Sequence, residues 1–414
     1  MPIYNKIFLY NIKVIGLENF KNTDDNINMK TRIIGLVDCD SFFVSCEQAG
    51  NPELKNKPVC VISGKNGCVI SRSKEAKQMG VKMGMPMFMA GKDFPDAVYI
   101  AADHDKYHNY SKSVMKCLND YSPDIEIVSV DEAYIDLTGT QKLFKKNYIE
   151  IAKDIRETIL KRTDIPVSIG LSHSKILAKL ASDKAKKTGG IFKIGKNDII
   201  SVLEKTDIDE ICGIGKANSL TLKRNGILLA SEFISKDDIW IKSKLGVSGI
   251  ELKHELSGEC VSKVSSKNEP PQSIQSTSVI GEGTFSDDIN IIKMEISKHL
   301  HSACSRLRYH KGKCKTLGLL LRGKDFVTYY EKTKLIKPTD FEITLQKEIN
   351  ELLPKLYKQG VLYRSTGVVL ENISYAGEQL SLFSTEEDKK AQNLSQCIEK
   401  IEQKFGKNSI RTGF

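Results

Sequence analysis

The run "RIIGLVDCDSFF", Arg32 to Phe43, constrains this 414-residue chain more than any other stretch. From Ile33 to Val37 no side chain is charged or hydrogen-bonding, the signature of a strand buried on both faces. Asp38 and Asp40 then stand at its mouth, and Phe42 and Phe43 follow at once. Such a strand belongs in the middle of a sheet. The acids either cap the next element or form part of a metal site.

The segments that follow supply the sheet. A helix is expected within "FFVSCEQ", then strands in "VCVISG" and "CVISRS" across a "GKNG" turn, then a short helix "KEAKQMG" stopped by Gly80. "DHDKYHNYSKSVMKCLNDYS" reads as a helix. "IEIVSV" and "AYIDLT" alternate as paired strands with Asp131 and Glu132 at their junction. Helix "YIEIAKDIRETILKRT", strand "IPVSIGLS" and helix "KILAKLASDKAKK" complete the series. Strand, helix, strand, strand, helix, strand is a ferredoxin-like order, with an insertion after the first strand. Further on, a Gly213–Gly215 hairpin lies between two short helical stretches and "KNEPPQS" reads as a linker. A second small α+β unit follows, and the tail after Ser374 is polar except for "EQLSLF". The length itself calls for two to four domains.

Composition narrows the class. A hydrophobic share of 40% and a charged share of 28% are those of a soluble globular protein, and the net charge of +10 favours polyanionic partners, nucleic acid before an anionic membrane. The ten cysteines include no CxxC pair, so zinc and disulfide frameworks lack support and a reducing cytoplasm is expected. No stretch reaches the roughly 18 apolar residues of a membrane span. The opening segment lacks the charged start and cleavage site of a signal peptide; with Met29 just before "KTRIIGLVD", residues 1–30 read as an N-terminal extension or a mis-called start.

In a ferredoxin-like sheet the first strand lies near the later hairpin, so Asp38, Asp131 and Glu132 are expected to converge. Three carboxylates at one point repel unless cations neutralise them, which is the demand that a site for two Mg²⁺ ions meets.

"VDCDSFFVSCE", "SVDEAY", "GLSHSKILAKLASDKAKKTGG" and the Gly-Ile-Gly hairpin together resemble the ordered motifs of the Y-family translesion DNA polymerases, from about Ile33 to the C-terminus. The resemblance implies an α+β, multidomain right-hand polymerase. Its ferredoxin-like palm would be 31–41 plus 103–193, with small fingers 42–102, a helix-hairpin-helix thumb 194–266, a linker 267–273, an α+β little finger 274–374 and a tail 375–414. It further implies that Asp38, Asp131 and Glu132, with the Cys39 carbonyl, hold two Mg²⁺ ions for attack of a primer 3′-hydroxyl on a dNTP. Low fidelity and the absence of proofreading belong to the same picture. Phe43 falls at the steric-gate position, where a ring against C2′ excludes a 2′-hydroxyl, and Phe42 packs beneath. Ser71, Lys77 and Lys186 match nucleotide-contacting positions. Many members carry Tyr and Arg where this chain has Lys74 and Lys77, and lysine lacks the bidentate fork of arginine. Asp40 matches no metal ligand.

By the same resemblance, Gly213, Gly215 and Lys216 would meet the backbone of primer–template DNA. Gln379, Leu380, Ser381, Leu382 and Phe383 look like a peptide that binds the bacterial sliding clamp. "NGCVISRSKEAKQMGVKMGMPMF" and the tail lean towards the UmuC branch, the catalytic subunit of DNA polymerase V, while "DCDSFF" is closer to DNA polymerase IV. The UmuC branch would bring an SOS damage response, UmuD-like accessory subunits and a recombinase filament. Two other classes compete: a catalytically weak, clamp-bound DNA-repair scaffold, and a palm-fold nucleotidyl cyclase.

Overall fold

The computed structural model describes residues 32–64, 67–266, 270–281 and 285–375, with scattered positions between 393 and 406. The expectations for residues 1–30 and for Gln379–Phe383 lie outside the described residues. Leaving aside the turn Gly64–Gly67, the chain divides into one compact unit ending at Asn268 and a second beginning at Glu269.

In the first unit, β1 (Ile34–Cys39) is buried along its whole length. It leads through a small inserted sheet of β2 (Val59–Ile62), β3 (Val69–Arg72) and β4 (Val98–Ala101), in the order β3-β2-β4. The chain then returns to β5 (Ile125–Ile127), β6 (Glu132–Asp136), β7 (Val167–Ser172) and β8 (Ile191–Lys193). These join β1 in a five-stranded sheet ordered β5-β6-β1-β7-β8. β1 runs antiparallel to both β6 and β7. The first four strands have the ferredoxin-like arrangement, and β8 extends it in parallel beside β7.

Side chains alternate across the sheet. Val37 and Cys39 join Val114, Leu118, Ile155 and Ile159 from helices His104–Leu118 and Tyr148–Thr163. Ile34 and Leu36 join Tyr134 and Ala178 on the opposite face, against helix Lys175–Ala185. Asp38 therefore points to the side of that last helix. Gly170 in β7 sets how closely the helix lies: a Cβ there would meet the Ser182 nitrogen at 2.1 Å and the Ala178 carbonyl oxygen at 2.2 Å. Any larger residue would push the helix off the sheet. The same helix, through Leu177 and Leu180, shares a core with the helical region that follows, including Phe233, Ile241 and Leu256.

Several elements differ from the sequence expectation. Helix Met87–Asp93 and β4 emerge from a stretch with no clear period, the helix starting directly after Pro86. The short helical stretch before Gly213 is a single 3-10 turn, Ile208–Glu210. Helices Asp238–Leu245 and Val247–Leu256 were also not anticipated. No helix among the described residues is long and apolar enough to cross a membrane.

The second unit is built from β9 (Ser273–Val279), helix Ile289–Tyr309, β10 (Gly312–Gly323), β11 (Thr328–Thr339), helix Glu342–Leu356 and β12 (Tyr363–Tyr375). Its sheet is wholly antiparallel, ordered β11-β10-β12-β9, and both helices share one core with it. His299 is buried against β9 between the hydroxyls of Ser276 (3.1 Å) and Ser278 (3.3 Å). Burial lowers its pKa to about 4, against a smaller opposing pull from Glu295.

Because the folded imidazole stays neutral where the unfolded one protonates, its stabilisation is complete above pH ~6.5 and is lost as pH falls towards ~4, about 3 kcal/mol in all. Thermal melts at pH 7.5 and 5.0 are expected to show a larger fall for wild type than for His299→Gln. Equal falls would remove His299 as the cause.

Candidate active site

Antiparallel pairing sets Asp38, the penultimate residue of β1, directly opposite Glu132, the first residue of β6. Asp38 is 6% exposed, so two like charges meet at the end of the central strands with little water to screen them. Helix Lys175–Ala185 supplies the compensation. Lys179 Nζ donates to Glu132 Oε2 at 2.5 Å and to Asp38 Oδ2 at 3.3 Å, and Lys186 Nζ donates to Asp38 Oδ2 at 2.8 Å. Burial alone would lower the Lys179 ammonium, but the Glu132 and Asp38 carboxylates together push it well above the ordinary lysine range.

Asp131 is adjacent by backbone, its carbonyl accepting from the Cys39 N–H at 2.8 Å. Its carboxylate accepts from the Ser129 hydroxyl at 2.5 Å. Among the described residues no three His, Cys, Asp or Glu side chains are gathered closely enough to hold a metal ion. Of the three acids expected to converge, two face each other across a lysine and the third, the residue before Glu132, is hydrogen-bonded to a serine. The donor chemistry still fits Mg²⁺, since all three offer hard carboxylate oxygens at one sheet end. Asp40 is set apart. Ser168 Oγ donates to its Oδ1 at 2.8 Å, while burial, then Asp38, raise its pKa against that hydrogen bond.

The two rings divide. Phe42 is 3% exposed and belongs to the core. Phe43 is half-buried and stacks on Tyr107, ring centroids 4.6 Å apart at 21°. The Tyr107 hydroxyl donates to Glu47 Oε1 at 2.8 Å, and Lys106 bonds the other oxygen at 2.7 Å, so the platform under Phe43 is itself fixed.

Ser41, between the acids and the rings, adopts a left-handed conformation with φ 47°. Buried Ser71 donates to its carbonyl at 3.2 Å and accepts from the Val44 N–H at 3.4 Å. Lys77 Nζ reaches the Ser41 hydroxyl at 2.9 Å. The pKa of the Lys77 ammonium is lowered by burial, then by Arg72, against an opposing pull from Asp40. Arg72 Nε, in β3, is buried with no hydrogen-bond partner. A cavity of about 350 Å³ opens beside Asp40, Ser41, Gln48, Lys55 and Lys74; none of the three expected metal ligands lines it.

At the hairpin, Gly213 has φ +97°, a turn that an L side chain rarely adopts, and buried Ile214 anchors it. Gly215 and Lys216 are exposed at the start of helix Lys216–Arg224. The residues that sequence reasoning missed are Lys179, Tyr107, Ser168 and Arg72. Only Lys179 had a signal: it lies seven residues before Lys186, two helical turns along one face.

Comparison with known proteins follows the same outline. Residues 37–183 match the impB/mucB/samB family, and residues 271–382 match the impB/mucB/samB family C-terminal domain. DNA polymerase IV 1 of Bacillus subtilis is 32% identical over 93% of each chain. DNA polymerase IV of Clostridium kluyveri is 31% identical over 92% of this chain and 98% of its own. Among solved structures, a Y-family DNA polymerase chimera of Dbh and Dpo4 superposes with a TM-score of 0.69 at 28% identity, covering 83% of this chain and 99% of the chimera. An insertion ternary complex of Dbh DNA polymerase gives a TM-score of 0.57 at 27% identity with the same coverage.

Proposed function

The chain belongs to the impB/mucB/samB family of Y-family DNA polymerases and is a DNA-directed DNA polymerase; from that premise we propose that it extends primers across damaged templates by two-metal phosphoryl transfer, with low fidelity and no proofreading. The observation that carries this reading is the Asp38–Glu132 pair at the end of the central strands, met by lysines from one helix.

Asp38, Asp131, Glu132 and the Cys39 carbonyl would hold Mg²⁺, with Asp131 released from Ser129. Bound Mg²⁺ supplies a lowered pKa at the primer hydroxyl and charge neutralisation at the leaving pyrophosphate. Lys186, half-exposed at the end of its helix, and Lys77, beside Ser41, meet the dNTP triphosphate as point charges. The buried hydroxyl of Ser71 holds the Ser41 turn rather than reaching outward, so its part in nucleotide binding is to shape that turn. Phe42 acts from beneath as packing, and Phe43, braced by Tyr107, excludes the 2′-hydroxyl by contact.

Gly213, Gly215 and Lys216 offer exposed backbone and one cation to a phosphate of primer–template DNA, independent of sequence. Gln379–Phe383 would engage a bacterial sliding clamp, its glutamine at the rim of an apolar pocket. The named relatives support a DNA polymerase IV-like character rather than the UmuC-like one, so UmuD-like subunits and a recombinase filament are left out of the proposal.

Primer extension tests the centre of this reading. Asp131→Ala is expected to lose Mg²⁺-dependent extension by roughly 10³-fold or more, the scale for removing one preorganised electrostatic partner. Retained extension would favour a different ligand set. Phe43→Ala is expected to give up about 10²-fold of discrimination against ribonucleotides, measured as the ratio of kcat/KM for dNTP and rNTP. An unchanged ratio would move the gate elsewhere. Deleting Gln379–Phe383 is expected to abolish stimulation by clamp while leaving basal extension intact, and an equal loss of both would point to a structural role for the peptide.

A further inference from the structure

Lys179 has no task in the mechanism above, yet it makes the shortest contact to the carboxylates. Its ammonium bridges Glu132 Oε2 at 2.5 Å and Asp38 Oδ2 at 3.3 Å, with only 20% of the side chain exposed. Its helix cannot drift, because neighbouring Ala178 and Ala181 lie against the bare backbone of Gly170. Lys186 differs in each respect: it touches only Asp38 of the pair, is 37% exposed and follows the last turn of the helix. Lys186 can swing to a triphosphate, while Lys179 is seated between the two acids. An ammonium on a carboxylate oxygen competes with a second cation for that oxygen's lone pairs, and ammonium and divalent ion repel.

We propose that Lys179 is a built-in counter-cation that keeps Asp38 and Glu132 aligned before metal arrives and gives up Glu132 when it does, so that metal loading is a lysine-for-metal exchange. The proposal rests on the reading of Asp38 and Glu132 as metal ligands. It makes Lys179 a positioning residue that tunes metal affinity, rather than a group that touches substrate.

Mn²⁺ binding to the full chain, without DNA or nucleotide, tests it through the electron paramagnetic resonance signal of free Mn²⁺. Lys179→Met is expected to bind Mn²⁺ about tenfold tighter or more than wild type, the order that follows from removing one unit charge within about 6 Å. Lys179→Arg, which restores the charge, is expected to return to the wild-type affinity. A folded Lys179→Met chain that binds as wild type does, or more weakly, overturns the proposal and leaves Lys179 an ordinary ion-pair residue. Asp38→Asn, run alongside, separates the two layers: if it leaves Mn²⁺ binding unchanged, the carboxylate reading fails and the inference with it. If Lys179→Met does not fold, wild type answers through labelling with an amine-reactive reagent read by mass spectrometry. Mg²⁺ is then expected to raise labelling at Lys179 several-fold, and no rise overturns the exchange.

Discussion

Two carboxylates placed opposite each other on adjacent strands, Asp38 on β1 and Glu132 on β6, set the terms for the rest of the first unit. Side chains directly across an antiparallel pair are near neighbours, and like charges there destabilise the sheet. Burial of Asp38 sharpens the conflict by removing the water that would screen it. The fold answers with a helix carrying Lys179 and Lys186 on one face. Packed closely on a strand that has glycine at the contact, that helix brings both ammoniums to the acids. The same helix is tied from its other side, Ser174 Oγ donating to the Glu255 carbonyl at 2.6 Å and Leu177 and Leu180 sharing a core with the following helices. Charge compensation and domain packing thus depend on one helix and one missing side chain.

Around that centre, residues that look equivalent in sequence carry different tasks. Asp38 and Asp40 are two positions apart, but only Asp38 faces the lysine helix, while Asp40 is retired onto Ser168. Phe42 and Phe43 are neighbours on a helix, and their directions differ by about 100°. One turns into the core and the other stacks on Tyr107 at the edge. Ser71, Lys77 and Ser41 form a joint between the inserted sheet and the central one, in which a left-handed turn is held from two sides.

Much of this was legible because the first unit is periodic. An unbroken apolar run identified β1 as central, and the order of elements set it near the later hairpin, although the register that opposes Asp38 and Glu132 came only from the structure. The site residues on β1 and β6 followed from that order. Cross-chain contacts were not legible, since no local pattern records them. Tyr107 was one of several aromatics on its helix, and only the three-dimensional stack on Phe43 distinguishes it. Ser129 and Ser168 read as ordinary small polar residues until their hydroxyls met Asp131 and Asp40. The direction of Asp131 was not legible for the same reason: spacing gives proximity along the sheet end but not the hydroxyl to which a carboxylate turns. Helix Met87–Asp93 escaped notice because its methionines lack a regular apolar period, and β4 because its residues are only half-buried.

The joint between the inserted sheet and the central sheet bears on how such a site selects its substrate. Besides the Ser71 and Lys77 contacts, Lys55 donates to Asp164 Oδ2 at 2.5 Å, tying the insert to the end of helix Tyr148–Thr163. Swinging the insert as a body would break all three links and strain the left-handed Ser41 turn that two of them support. Exposed ion pairs such as Lys55–Asp164 are worth little individually, but the hydrogen bonds of buried Ser71 are costly to leave unmade. The insert is thus tied to the central sheet at three points, and on the reading proposed above selection would fall to fixed contacts, above all to the edge of Phe43, rather than to a closing movement of the insert. A site of that kind discriminates by what collides with it. On that reading it would exert little demand on the shape of the base pair beyond the reach of those few side chains, which is the physical sense in which a small insert and the proposed low fidelity go together.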